Sequence, residues 1–501
     1  MKNRTPVCFL TVLLAAALTV GCAQPADTPG TETTADTAAV QTTAAQTLPT
    51  EYDIPTVDYG GAVFTIAAVD YYTTGANNVW KAMNYCEVFS FEENGDPLND
   101  AIYQRNRAVS EELNVTIELY SLSALGEVSN EFRKLVMAAE DVVDLGMINA
   151  QGLPNLMGTG ALVDLLTLPN IDFSHSWWDQ NSRAELTMLD KMYAVTGDIS
   201  LYISFAPISY FFNKQLVETL GLEDPYTLVR EGQWTLDKAI ALSAEAAHDL
   251  NGDGTMTIDD RYGMLCESNT LTYAVHACGV SLTDKDADGL PVLNVDVERA
   301  TALTETMVPF MNDKNVTLMS NYQSGYNNTF TELFMPMFRE NRALFFSNQL
   351  LVALDLRNMD ADFGILPPPK LDETQEDYMC SINDHWGTFI VMPVTNTEYE
   401  MTGHVVESMG FWGQQLIKPA FIDTTVRDKA LRDEDSSEMI DIILNNRVYD
   451  LASFYNWGSI NTMFASLATS PNKQYASELA RIEKKTKALI EKTITALQED
   501  S

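Results

Sequence analysis

The stretch DLNGDGTMTIDD, residues 249–260, has the ligand spacing of a calcium loop. Asp249, Asn251 and Asp253 place side-chain oxygens at loop positions 1, 3 and 5. Gly254 suits the turn at 6, Thr255 offers its carbonyl at 7, and Asp260 closes the loop at 12. A sensor loop needs a helix on each side, so that the ion can open the pair. Here RYGMLCES, after Asp260, reads as a strand or turn, and Asp260 is shorter than the usual bidentate Glu. A structural calcium pinning a helix to a strand is therefore expected. The competing reading is an Asp-Gly turn whose acids serve local hydrogen bonds. A second run, DKDADG at 284–289, has Val295 where an acid would have to close it, and is expected to be a hairpin turn.

Aromatic faces stack on ring-shaped ligands, and short polar side chains meet hydroxyls. The chain has seven Trp and twenty Tyr, most of which must be core. Trp177 and Trp178 are adjacent and face different ways, so one is core and Trp178, with Asp179, is a candidate ligand contact. Trp386 in NDHWG and Trp457 in FYNWG are further candidates, with core packing as the alternative for each. Asp198 in TGDIS and Asn348 in FFSNQ suit ligand hydroxyls, or equally a local turn. Asp70 and Tyr71 follow the first strand. Trp234 precedes an N-cap and suits a packing role.

Catalytic signatures are missing from the sequence. The five His (175, 248, 276, 385, 404) form no HExxH or close metal pair, and neither GxSxG nor GxxxxGK[ST] occurs. Seventy acids leave room for a glycosidase carboxylate pair, which is defined by separation in space.

The elements that must position these groups are α/β. Val63 to Val69 reads as a strand. In NGDPLNDAIYQRNRAVSEELN, Asp96 can cap a helix with Pro97 at its first position, and Asn114 suits a left-handed stop. VTIELY alternates as a strand, a second helix carries Phe132, Leu135, Val136 and Ala139, and VVDLGMI is an apolar run fit for a buried parallel strand. This order implies a parallel sheet covered by helices, with ligands outside the carboxyl ends of the strands, at 70–72 and 149–151. A second α/β region follows, with ISYFFNKQLVETLGL, then RALFFSN, DFGILPPPK and GTFIVMP as strand-like segments. A mostly helical C-terminal third ends in an amphipathic helix over 474–498.

The formal net charge of −39 excludes nucleic acid as a partner and makes a neutral or cationic ligand easier to accommodate. Lys2 and Arg4 precede an uncharged apolar run, Val7 to Val20, too short to span a bilayer. It ends in LTVGC, which resembles the bacterial lipoprotein signal, with Cys22 as the acylated first mature residue and Thr19 where Leu is commonest. Residues 22–57 are rich in Thr, Ala and Pro and cannot bury enough surface to offset chain entropy, so a disordered tether is expected. Of six cysteines, Cys86, Cys266, Cys278 and Cys380 lie in the body without CxxC spacing. Buried thiols or isolated disulfides both suit them.

Across 60–460 the order of pieces resembles a large carbohydrate-type extracellular solute-binding protein, the receptor of an ATP-binding-cassette importer. The marks are GDPLNDAIYQRNRAV, SWWDQN, YAVTGDISL, SYFFNKQLVETLGLEDPYTLVREGQWTLDKA, DLNGDGTMTIDDRYG, FGILPPPK and LRDEDSSEMIDIILNNRVYDL. The resemblance implies a two-lobed α/β fold of the periplasmic-binding-protein type (type II), with a hinge and the ligand between the lobes. Lobe 1 is expected over 58–200 and 345–392, lobe 2 over 201–344 and 393–501, after a signal at 1–21. It also implies a small polar solute, a permease partner, a monomer, and lipid anchoring at the outer face of the cell membrane. A surface glycan-active enzyme or glycan-adhesion lipoprotein is the alternative.

Overall fold

Among the described residues nine strands form the two larger sheets, and their burial explains their sequences. In the first sheet β1 (Ala62–Val69) lies between β2 (Val115–Leu122) and β3 (Leu145–Asn149), parallel to both. The second sheet is built from β4 (Ile208–Asn213), β5 (Tyr262–Cys266), β6 (Thr317–Met319), β7 (Ala343–Gln349) and β8 (Phe363–Leu366), in the order β6-β5-β7-β4-β8. β4 runs antiparallel to both its neighbours. The last strand, β9 (Thr388–Val391), returns to the first sheet, antiparallel to β3. The computed structural model describes residues 52, 53, 55–71, 80–139, 141–356, 359, 362–426 and 434–499. The expected signal (1–21), Cys22 and most of the tether (22–57) lie outside the described residues.

Local rules hold where partners are near in sequence. Asp96 accepts from the N–H groups of Leu98 and Asn99, Pro97 opens the helix Pro97–Leu113, and Asn114 ends it at φ 50°. Thr235 caps the helix Leu236–Ala246. The run 284–289 turns a hairpin between Thr283–Lys285 and Pro291–Leu293. β1 alternates: Phe64, Ile66 and Ala68 enter a core shared with Val405 and Met409, while Ala67 and Val69 enter the core that continues to Phe211 and Phe345.

Two corrections concern the lobes. β7 and β8 belong to the second sheet, so 345–392 does not return to lobe 1 as a block. The run RALFFSN finds β4 and β5 as neighbours, and only β9 rejoins the first sheet. Likewise 393–501 is not uniformly lobe 2. The helix Tyr399–Trp412 packs on Pro97–Leu113, whereas Glu434–Asn445 packs on β8.

Between the sheets three segments run side by side. Pro207 pairs with Ile382 and Asn383 donates its N–H to Ala206 O at 2.8 Å. Cys380–Ser381 in turn pairs with Arg447–Val448. Where Gly197 pairs with Trp178, close approach needs a glycine: an added Cβ would lie 2.2 Å from the Trp177 carbonyl oxygen. Cys86, Cys266, Cys278 and Cys380 are free and buried, the thiol reading.

Candidate functional site

Strand ends from both sheets meet the crossing segment 380–387. From lobe 1, Asn149 Nδ2 donates to His385 O at 3.0 Å, Ala150 N to Gly387 O at 2.9 Å, and Gln151 N to Asp384 O at 3.1 Å. Gln151 Nε2 lies 2.8 Å from His385 Nδ1. From lobe 2, β5 ends at Cys266, Glu267 follows, and the helix Asn269–Ala277 presents Tyr273. Asn383 Nδ2 donates to Tyr273 Oη at 2.9 Å and Ser381 Oγ to Tyr273 O at 2.7 Å. Six residues, 380 to 385, thus touch both lobes.

Against this junction lies a cavity of about 100 Å³, lined by Asn269, Tyr273, His276, Asp384, Phe454 and Asn461 among others. The helices that close it straddle the lobes: Leu451–Tyr455 packs on residues 150–155, and Ile460–Ala468 packs on Asn269–Ala277. Ligand pockets usually reach ~300 Å³ or more. A ring-sized solute therefore requires the lobes to part, which the three-segment crossing allows as a hinge.

The electrostatics are acidic. Burial raises the Asp384 carboxyl, and pushes Glu267 up to about 7. Burial likewise raises the Tyr273 hydroxyl, with Glu267 and Asp384 adding to it, so both carboxylates act on one phenol. His385 is lowered by burial. No Lys or Arg lines the cavity among the described residues. Asn461 Oδ1 is buried and has no hydrogen-bond partner. The arrangement can accept hydrogen bonds from a polar solute, and in its Ser–His contact, Ser453 Oγ to His276 Nε2 at 2.9 Å, the other ring nitrogen faces the Val280 carbonyl rather than a carboxylate.

Most residues singled out in the sequence lie elsewhere. Trp178 is core: its Nε1 donates to Glu407 Oε2 at 2.9 Å and its ring packs on Phe173. Trp457 is core too, stacked on Tyr455 at 4.7 Å with Nε1 donating to Thr493 Oγ1. Trp386 sits at the junction, but buried edge-on against Tyr202. Asp70 is buried at the end of β1, and Tyr71 Oη accepts from Leu125 N. Asn348 Oδ1 accepts from the N–H of Gln349, a local role.

Trp178, Asp179 and Asp198 come together at a second pocket of about 220 Å³, with Lys418 and Arg447. Asp179 caps the helix Gln180–Leu186 and pairs with Arg447 at 2.8 Å. Arg447 and Val448 are adjacent on one strand and point to opposite faces, so this pocket and the junction cavity lie on opposite sides of the crossing. Sequence reasoning missed Glu267, Tyr273 and Asp384. The available signal was Glu267 directly after the apolar run YGMLC, a strand end of the kind already singled out at 70–72.

The residues of the 249–260 loop do not assemble a cage. Asp249 accepts from Gly252 N and Gly254 N, and Asp253 Oδ1 from Thr255 N. Asn251 Oδ1 accepts from Asp253 N. Both Asp260 oxygens are taken, by Leu250 N at 2.9 Å and Thr257 N at 2.8 Å, and these bonds, that of Thr257 first, hold its carboxyl below the usual range. No group of three or more His, Cys, Asp or Glu is placed to hold a metal among the described residues. These hydrogen bonds are those of the local-turn reading.

No protein-family model and no curated protein matches the chain. Solved structures do. The chain is similar to a sugar transporter from Rhizobium etli in an open conformation, at TM-score 0.58 and 13% identity over 85% of this chain and 100% of that one. It is similar to the cyclic alpha-maltosyl-1,6-maltose binding protein of Arthrobacter globiformis, at TM-score 0.58 and 11% identity over 86% and 99%. The GacH receptor of Streptomyces glaucescens, described unliganded and with acarbose, gives TM-score 0.54 and 12% identity over 85% and 99%. At such identities the likeness speaks for architecture, and the chain has the two-lobed, periplasmic-binding-protein-like α/β fold.

Proposed function

We propose that this protein is a solute receptor that binds a carbohydrate between its lobes and hands it, unaltered, to an ATP-binding-cassette importer. The carrying observation is the polar junction at 380–385, contacted from both lobes beside a cavity. Support comes from the three neighbours, described as a sugar transporter, a maltosyl-maltose binding protein and an acarbose-binding receptor. The LTVGC signal adds anchoring through Cys22 at the outer membrane face, where a lipid and tether raise the receptor's effective concentration near its permease.

One observation favours a second reading. Two carboxyl groups raised in pKa by desolvation, Glu267 and Asp384, act on the same Tyr273 hydroxyl and are the raw material of glycan cleavage. A carbohydrate panel, read by thermal shift and by product analysis, separates the two. A ligand that binds only the folded form raises its melting temperature. A rise without product supports the receptor; chain cleavage sinks it.

A further inference from the structure

The pocket of about 220 Å³ on the far side of the crossing has Lys418 and Arg447 in its walls, whereas no Lys or Arg lines the junction cavity. Its walls are closely set. At Gly413 an added Cβ would lie 2.0 Å from the Asp198 carbonyl oxygen, as at Gly197 it would meet that of Trp177. Asn181 Nδ2 donates to Arg447 O at 2.9 Å and ties the lobe 1 wall to the crossing. From Gly413 to Ile417 the helix begun at Tyr399 widens into a π turn, and Lys418 opens the next helical segment. Single π turns inside α-helices recur at functional sites.

Hydrogen-bond capacity decides what the pocket can hold. Asp179 is spent, since Ser182 N, Tyr449 Oη and Arg447 Nη2 all reach it. Asp198 Oδ2 accepts from Gln414 Nε2 at 3.2 Å. Arg447 is 8% exposed, and its Nε is buried with no hydrogen-bond partner. Lys418 Nζ makes no ion pair or hydrogen bond among the described residues. The acids and bases of the wall balance in charge, but N–H donors are in surplus. Donors buried without acceptors are costly, and a carboxylate is the acceptor that guanidinium and ammonium groups bind strongly. A neutral ring has less to gain, because Trp177 and Trp178 are each 1% exposed and leave no open face for stacking. The volume, below the ~300 Å³ of drug-sized sites, limits the ligand to a single small ring or chain.

We propose that this pocket is a second binding site, for a small hydroxy-carboxylate of the size of a uronic acid, whose carboxylate lies between Lys418 and Arg447 and whose hydroxyls donate to Asp198. The site stands apart from the junction cavity and does not depend on the receptor reading.

The test is calorimetric titration of the whole protein with glucuronate and, separately, with glucose. Glucuronate is expected to bind at least about tenfold tighter, a difference of ~1.4 kcal/mol, and to weaken as salt is raised. Lys418→Met is expected to lower the glucuronate affinity about tenfold. Should that variant fail to fold, hydrogen exchange of the unmodified protein locates the ligand: glucuronate is expected to slow exchange at 197–198 and 444–447. Glucose binding as tightly as glucuronate, an unchanged glucuronate affinity in a folded Lys418→Met, or protection at 381–385 in place of 444–447 would each overturn the inference. All three would leave the receptor reading as it stands.

Discussion

Asp179 and Arg447 offer the sharpest energetic prediction, because a group that could have been a ligand contact is instead a buried structural one. Their side chains lie 2.8 Å apart and are only 6% and 10% exposed. Asp179 Oδ2 also accepts from Tyr449 Oη at 2.8 Å, and Oδ1 from Ser182 N at 2.8 Å. Arg447→Met would leave the carboxylate buried with two neutral donors and no charge partner. Removing one member of a buried pair costs about 3–5 kcal/mol. With an unfolding entropy of ~2.1 cal/mol/K per residue, a unit the size of Leu48–Ser501 loses stability at about 1 kcal/mol per degree. The melting temperature should therefore fall by about 3–5 °C. Asp179→Asn keeps the cap and relieves the orphaned charge, so the double variant should recover about 2 kcal/mol of the summed losses. Thermal denaturation of the four proteins in the cycle measures this. A single-variant cost under about 1 kcal/mol, the range of exposed pairs, would refute the reasoning.

Three further outcomes are expected. Burial pushes Glu87 up to about 7 from 4.5, and its Oε2 takes the hydroxyls of Ser200 and Thr388. A carboxyl raised in the fold contributes stability below the unfolded pKa that is lost as pH rises through the folded one, so the stability of Glu87→Gln relative to the unmodified protein should climb between about pH 4.5 and 7, by up to ~1.4 kcal/mol per unit, and level above; a flat difference in urea midpoints contradicts it. Calcium or a chelator should leave the melting temperature unchanged within about 1 °C, since ion binding to the fold would raise it; a saturable rise would restore the 249–260 loop as an ion site. Cys22→Ala should shed the protein into the medium, read by cell fractionation; retention at the membrane would argue against the lipid anchor.

Legibility in the sequence followed distance along the chain. The cap at Asp96, the stop at Asn114 and the 284–289 hairpin depend on residues a few positions apart, and each is present. The strand character of RALFFSN was readable, but its sheet was not, because an apolar run pairs equally well with either set of neighbours until the topology is known. The tryptophans show the same limit. Trp178 finds Glu407, 229 residues on, and nothing local to SWWDQN announces that partner. The acids of the junction were hidden by abundance: Glu267 and Asp384 are two among seventy, distinguished only once folding removes their water. The 249–260 loop shows a related limit, since Asx turns and ion loops use the same residues and spacing alone does not separate them.

The central claim is reversible capture without chemistry. Its most direct measurement is to load the purified protein with the tightest-binding saccharide, remove the excess, denature the complex and weigh what is released. One equivalent of the intact compound per chain is the predicted result. A shortened or otherwise altered compound, or no saturable loading by any saccharide, would contradict it.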